Sequence, residues 1–228
     1  MAKPPSRRSN TQEIDRFLKQ SRDITEFRRH QPRLLFAIDA TASRQPTWDS
    51  ACHLQGEMFR AASGIASLRV QLSYYRGFND FFASPWLDDS KQLASTMARV
   101  QCEGGHTQIR RLLRHALQEH RQEPLRALVF IGDAVEESPD SLCQLAGECG
   151  ILKLPLFMFQ EGGEPQVEQC YRRMASLSRG GYARFDQRSA SKLASLLGAV
   201  ARYAAGGTAA LEKQGGEGDK LLLDQLKR

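Results

Sequence analysis

The sequence predicts an α/β protein, with a mainly parallel, doubly wound sheet, helices on both faces and one short antiparallel edge strand. Two observations predict it. Short apolar runs, Leu34-Leu35-Phe36-Ala37-Ile38 and Leu128-Val129-Phe130-Ile131, are greasy on both faces, as strands buried between two helical layers are. Segments of helical period lie between such runs, so strands alternate with helices, which is the order a parallel sheet requires.

Residues 1–9 mix two prolines with basic and polar side chains, and no ordered element is expected there. Over residues 11–29, Ile14, Phe17, Leu18, Ile24 and Phe27 follow helical spacing. Asn10 or Thr11 offers an N-cap, and Pro32 stops the helix. Residues 34–38 form the first strand. A helix is expected over 47–63, with Ala51, Leu54, Met58, Phe59 and Ala62 on one stripe and Gly64 at its end. In residues 67–75, Leu68, Val70, Leu72 and Tyr74 alternate with Arg69, Gln71 and Ser73, which predicts a strand with one apolar and one polar face. Arg76-Gly77 punctuates it, and residues 78–82 read as the antiparallel edge strand. Helices are expected over 88–100, 108–121 and 139–148, then through Met174 and Leu177, and finally over 189–203. Strands are expected at 126–131, 156–159 and 180–185. Gly206-Gly207 marks the end of the domain. Residues 206–228 read as a flexible linker, with Gly215-Gly216-Glu217-Gly218, and a tail whose last eight residues, 221–228, are a short amphipathic helix or a hook for a partner, marginal alone at that length. The organisation is therefore a basic N-terminal extension (1–32), one domain (33–205) and a Gly-rich linker with a tail (206–228).

A chain of 228 residues, 41% hydrophobic and 25% charged, is the composition of an ordinary globular protein with one sizeable core. No run of about 18 apolar residues exists to span a membrane. No apolar segment follows the basic N-terminus, which argues against a secretory signal. The cysteine count is five, and no two are spaced as C-x-x-C. That favours reduced thiols and a cytoplasmic location over a disulfide framework or a zinc site. The formal charge of +6 is uneven: the first 33 residues hold nine Lys/Arg against four Asp/Glu, so the remainder is close to neutral. A solvated basic arm is the plain reading, and nucleic acid or an acidic protein surface is the alternative use.

The residues that carry chemistry cluster after the strands. Asp39, Thr41 and Ser43 place one carboxylate and two hydroxyls at alternate positions beyond the first apolar run, at the carboxyl end where open α/β sheets build their sites. Such oxygens suit a hard cation such as Mg²⁺. A strand followed by a Ser/Thr-rich turn accounts for that stretch equally well by itself. Gly104-Gly105-His106-Thr107 is a glycine-marked loop before a helix, and Gly132-Asp133 ends the second apolar strand. His53 and His106 read as surface or loop residues.

Together these segments resemble the von Willebrand factor type A (VWA) domain and its metal-ion-dependent adhesion site (MIDAS). That site takes the form D-x-[ST]-x-S, then a Thr on a later loop, then an Asp after a later strand. Asp39, Thr41 and Ser43 match the first part, Thr107 the second and Asp133 the third. Thr41 stands where Ser is commoner and keeps the hydroxyl. The resemblance covers residues 33 to 205 and implies a Rossmann-like fold. It also implies a bound Mg²⁺, with Mn²⁺ or Ca²⁺ compatible. Thr41, Ser43 and Thr107 would be hydroxyl ligands, and Asp39 and Asp133 would bind directly or through water. Such sites keep a position open to a partner. The family includes intracellular bacterial members that work with AAA-type ATPases. Two carboxylates just neutralise a divalent ion, so the expected partner is a protein presenting a Glu or Asp carboxylate to it.

Two other functions compete with this reading. Asp39 after an apolar strand also resembles the nucleophile loop of haloacid-dehalogenase-type phosphatases, a Mg²⁺-dependent hydrolase class. Thr41, however, stands where those enzymes place a second Asp, and no dedicated base is visible, so a non-enzymatic binding module is expected. Nucleic-acid binding through the basic arm lacks the aromatic and basic sheet motif of RNA-binding domains.

Overall fold

The protein is described from a computed structural model. The described residues are 31–42, 45–54, 56–62, 64–186 and 190–227. They fall in the unit Pro32–Arg228, apart from residue 31. The helix expected over residues 11–29 lies outside them, and so does Ser43.

Six strands form one sheet: β1 (Arg33–Asp39), β2 (Arg69–Arg76), β3 (Asp80–Ala83), β4 (Ala127–Gly132), β5 (Leu156–Glu161) and β6 (Gly181–Phe185). Their order is β3-β2-β1-β4-β5-β6. Every pairing is parallel except β2–β3, the expected antiparallel edge. The sequence direction reverses between β1 and β4, so the exits of these two strands frame a crevice at the carboxyl end of the sheet.

The helices are α1 (Gln45–Leu54), α2 (Gly56–Ala62), α3 (Ser90–Met97), α4 (Ile109–Gln122), α5 (Pro139–Ile151), α6 (Pro165–Leu177), α7 (Ala190–Gln214) and α8 (Glu217–Leu226). Alternation along β1 sends Leu34, Phe36 and Ile38 into one apolar layer with Trp48, Met58, Leu93 and Leu196. Leu35 and Ala37 enter the other, with Leu112, Leu142 and Tyr171. Both faces of the sheet are thus covered, which is why β1 reads as a continuous apolar run.

In two places the structure departs from the sequence reading. The polar face expected for β2 is buried: Gln71 and Ser73 are 5% and 0% exposed. The reason is that β2 lies inside the sheet, beneath α4. Gln71 is satisfied there by His115 Nε2 at 2.8 Å and by its own donation to the Ser84 carbonyl at 3.0 Å.

The second departure is the C-terminus, where the expected flexible linker is largely helical and the amphipathic tail helix docks on the chain's own domain. The chain kinks at Gly207, whose φ of 67° a glycine tolerates, and the helix resumes to Gln214 before α8 begins. Leu211 and Leu222 are fully buried in the first apolar layer. Asp219, also fully buried, accepts from Arg202 Nε at 2.9 Å and from the Gly216 amide at 2.9 Å. The Gln225 side-chain amide accepts from Tyr182 N at 2.7 Å and donates to Tyr182 O at 2.8 Å, occupying the outer edge of β6 as a neighbouring strand would. An eight-residue amphipathic stretch is marginal alone, but tertiary burial and a satisfied sheet edge stabilise it here.

Candidate metal centre

Asp39 is the last residue of β1 and is fully buried. Its Oδ1 accepts from the Thr41 amide at 2.8 Å, so the chain after the strand folds back over the carboxylate. Its Oδ2 accepts from the Tyr75 hydroxyl at 3.2 Å. Tyr75 comes from β2, opposite Asp39 in register, and is 1% exposed. Burial first, then the Asp39 charge, holds its phenol well above the ordinary range, so it remains a donor.

Thr107 lies on the loop between α3 and α4 and is 7% exposed. That loop is tied to its neighbours by backbone bonds. Glu103 N donates to Ala40 O at 3.0 Å, directly after Asp39. Gly77 N donates to Glu103 O at 3.3 Å, and His106 N to Gly77 O at 3.2 Å. The Gly104-Gly105 pair has a steric cause. A Cβ on Gly105 would sit 1.8 Å from the Gly77 carbonyl oxygen, so only glycine allows the two loops to touch.

Asp133 follows β4 directly. Because Ile38 pairs with Ile131, Asp39 is level with Gly132 and Asp133 is the next residue out. Gly132 cannot carry a side chain: a Cβ would meet the Tyr171 hydroxyl and the Phe130 ring, each at 2.8 Å. Tyr171 in turn donates to Ala134 O at 3.1 Å and holds the exit of β4.

Two glutamates that the sequence reading passed over join the Thr107 and Asp133 loops. Thr107 N donates to Glu136 Oε2 at 2.8 Å, and Glu136 N donates back to Thr107 Oγ1 at 3.1 Å. Glu137 accepts from Ile109 N at 2.6 Å and Arg110 N at 2.9 Å, capping α4, whose own N-cap residue Gln108 makes no side-chain cap bond. Burial pushes the Glu137 carboxyl up, against the opposing pull of these amides and of the Thr107 hydroxyl. The one available signal was two acids shortly after the strand-ending Asp133, which in sequence look like a solvated turn. Tyr75 gave no signal, since a tyrosine ending a strand reads as packing.

The structure therefore places Asp39, Thr41, Thr107 and Asp133 on three loops interlinked at the carboxyl end of β1 and β4. Ser43 lies outside the described residues. Carboxylate and hydroxyl oxygens are the donor chemistry of Mg²⁺ and its hard relatives. Among the described residues, no group of three or more His, Cys, Asp or Glu could hold a metal. A cation held here would rely on hydroxyl oxygens beside the carboxylates of Asp39 and Asp133, and Thr41 and Thr107 are residues of that chemistry.

Searched by sequence, the chain matches no family model and no curated protein. Its fold does match solved structures. It superposes on the VWA domain of SpRpn10 with a TM-score of 0.56 at 12% identity, over 72% of this chain and 95% of that one. The vWF domain of the type V pili tip protein Mfa5 from Porphyromonas gingivalis gives 0.59 at 8% identity, over 75% and 94%. An aerotolerance-related membrane protein from Bacteroides fragilis gives 0.54 at 19%, over 71% and 96%. The chain has the VWA fold. Among the described residues, no helix is long and apolar enough to cross a membrane.

Proposed function

We propose that this chain is a divalent-cation-dependent protein-binding module. Its ion, Mg²⁺ or a close relative, would be held by Asp39, Thr41, Ser43, Thr107 and Asp133. The observation that carries the reading is the reciprocal clamp of Thr107 and Glu136, which fixes the threonine loop to the loop of Asp133 beside the buried Asp39. The cation would supply a positive centre that attracts an oxygen ligand from outside. The residues of the chain do the rest: Tyr75 and the Thr41 amide orient Asp39, Glu136 orients Thr107, and Gly132 with Tyr171 sets the exit of β4.

The partner is proposed to be a protein presenting a Glu or Asp carboxylate, in an intracellular assembly such as one with an AAA-type ATPase. Neighbours in fold include the human COPII-coat protein Sec24c, with a TM-score of 0.52 at 10% identity, so this fold serves within a protein coat elsewhere. No enzymatic role is proposed. Calorimetry with Mg²⁺ tests the reading. Asp133→Ala is expected to weaken Mg²⁺ binding at least about tenfold while the melting temperature stays near native, because Asp133 lies half-buried just beyond β4 and outside both apolar layers. Equal Mg²⁺ affinity in the two proteins contradicts it.

A further inference from the structure

The rim of the same site carries an apolar side chain that the fold holds in water. Phe78, at the tip of the β2–β3 turn, is 76% exposed. Isolated exposed apolar residues are common. This one is held in place. The turn is fixed on all sides. Arg76 Nε donates to Asp80 Oδ2 at 2.7 Å, and Arg76 Nη1 to Gln101 O at 3.0 Å. Gln108 Nε2 donates to both Arg76 O and Asp80 O at 3.3 Å. Arg111 Nη1 donates to Asn79 O at 2.9 Å, and the Gly77 amide and carbonyl are bonded to the Thr107 loop. The Phe78 ring meets the His106 ring edge-on at 5.2 Å, and His106 Nδ1 lies 3.2 Å from Glu136 Oε2. Phe78, His106 and Glu136 thus form a continuous ridge from the turn to the clamp on Thr107.

We infer that Phe78 is the preorganised apolar anchor of the binding face, and that the partner offers an apolar pocket bordered by a lysine or arginine. The inference rests on the proposed reading that a protein docks over the carboxyl end of the sheet. Binding energy concentrates in aromatic anchors, and an anchor already held in place loses little entropy on association. The charge of the flank sets the second requirement. Of the cations at the turn, Arg76 is shared between two carboxylates, Asp80 at 2.7 Å and Glu103 at 3.9 Å, and Arg111 is held by Asn79 and the Phe81 ring at 5.1 Å. The carboxylates facing outward beside the ridge are Glu103 and Glu136, with side chains 64% and 49% exposed. Glu103 lies against the Gly77 backbone, next to Phe78. A basic group at the edge of the pocket complements them.

The test uses a random peptide display library selected on the full chain in Mg²⁺. Enriched peptides are then measured by fluorescence anisotropy against the native chain, Phe78→Ala, Phe78→Leu and Glu103→Gln, each with Mg²⁺ and with EDTA. The expected peptides pair a large apolar residue with Lys or Arg. Phe78→Ala should weaken them about tenfold or more, Phe78→Leu should recover much of the loss, and Glu103→Gln should weaken them severalfold. Phe78→Ala should melt with the native chain, since its side chain is in solvent. Selection that enriches no peptide able to distinguish native from Phe78→Ala overturns the anchor. Loss in EDTA with indifference to Phe78→Ala also overturns it and leaves the cation reading standing. Dependence on Phe78 that persists in EDTA supports the anchor and overturns the cation reading instead.

Discussion

Replacing Tyr75 by Phe removes one oxygen and leaves the packing of the ring unchanged. The phenol donates to a carboxylate that is itself fully buried, so the loss falls on a charged acceptor out of reach of water. Hydrogen bonds to charged groups contribute about 1.5–3 kcal/mol. At 3.2 Å this one is long for a hydroxyl donor, which places the expected loss at the lower end, about 1.5–2 kcal/mol. For a chain of this size that is a fall in melting temperature of about 3–8 °C. Urea unfolding followed by circular dichroism, with thermal melts alongside, measures it without added metal. In saturating Mg²⁺ the deficit is expected to narrow, because a cation beside Asp39 stabilises the same charge. A loss below about 0.5 kcal/mol, within the range of surface substitutions, would show that Tyr75 does not support the carboxylate. A deficit that is full-sized and identical with and without Mg²⁺ would separate Asp39 from the metal.

Three further outcomes follow from the geometry. Gly132→Ala forces a Cβ to within 2.8 Å of Tyr171 and Phe130, so denaturant unfolding should show a loss of about 1–3 kcal/mol from overpacking. Arg202→Ala strands the fully buried Asp219 carboxylate, and calorimetric unfolding should show a loss of about 3–5 kcal/mol; a loss under about 1 kcal/mol would mean α8 is not latched there. His115 is held below its ordinary value of 6.5 by burial, against an opposing pull from Glu119. The unfolded chain therefore binds the proton more readily. His115 contributes full stability above about pH 6.5, and that contribution is lost as the pH falls through the depressed folded value. A His115→Gln chain should lack that part of the pH dependence in unfolding midpoints measured from pH 7.5 to 5.

Most of the sheet was legible because burial on two faces leaves a direct mark in sequence: an apolar run flanked by punctuation, as in β1 and β4. The edge hairpin was legible from Arg76-Gly77. β2 was legible as a strand but not in its surroundings, because Gln71 and Ser73 are polar residues satisfied by tertiary partners that local alternation cannot reveal. The docked C-terminus was hidden for a related reason. Glycines at 206, 207, 215, 216 and 218 read as linker, whereas Gly207 makes a kink and a Cβ on Gly218 would collide with the Ser195 carbonyl. Within the candidate site, Asp39, Thr41, Thr107 and Asp133 stood out through the resemblance of their order to the VWA metal-site motif. Tyr75, Glu136 and Glu137 act through hydrogen bonds to residues 27 to 36 positions away, and no short pattern records such bonds.

The central claim is that one hard cation sits where the exits of β1 and β4 meet the Thr107 loop. Anomalous scattering from crystals grown with Mn²⁺, a cation of the same donor preference, tests it directly. One strong peak is expected among the oxygens of Asp39, Thr41, Thr107 and Asp133, and it should disappear in Thr107→Ala crystals. Mn²⁺ bound only elsewhere on the chain, or a peak at this position that Thr107→Ala leaves unchanged, would contradict it.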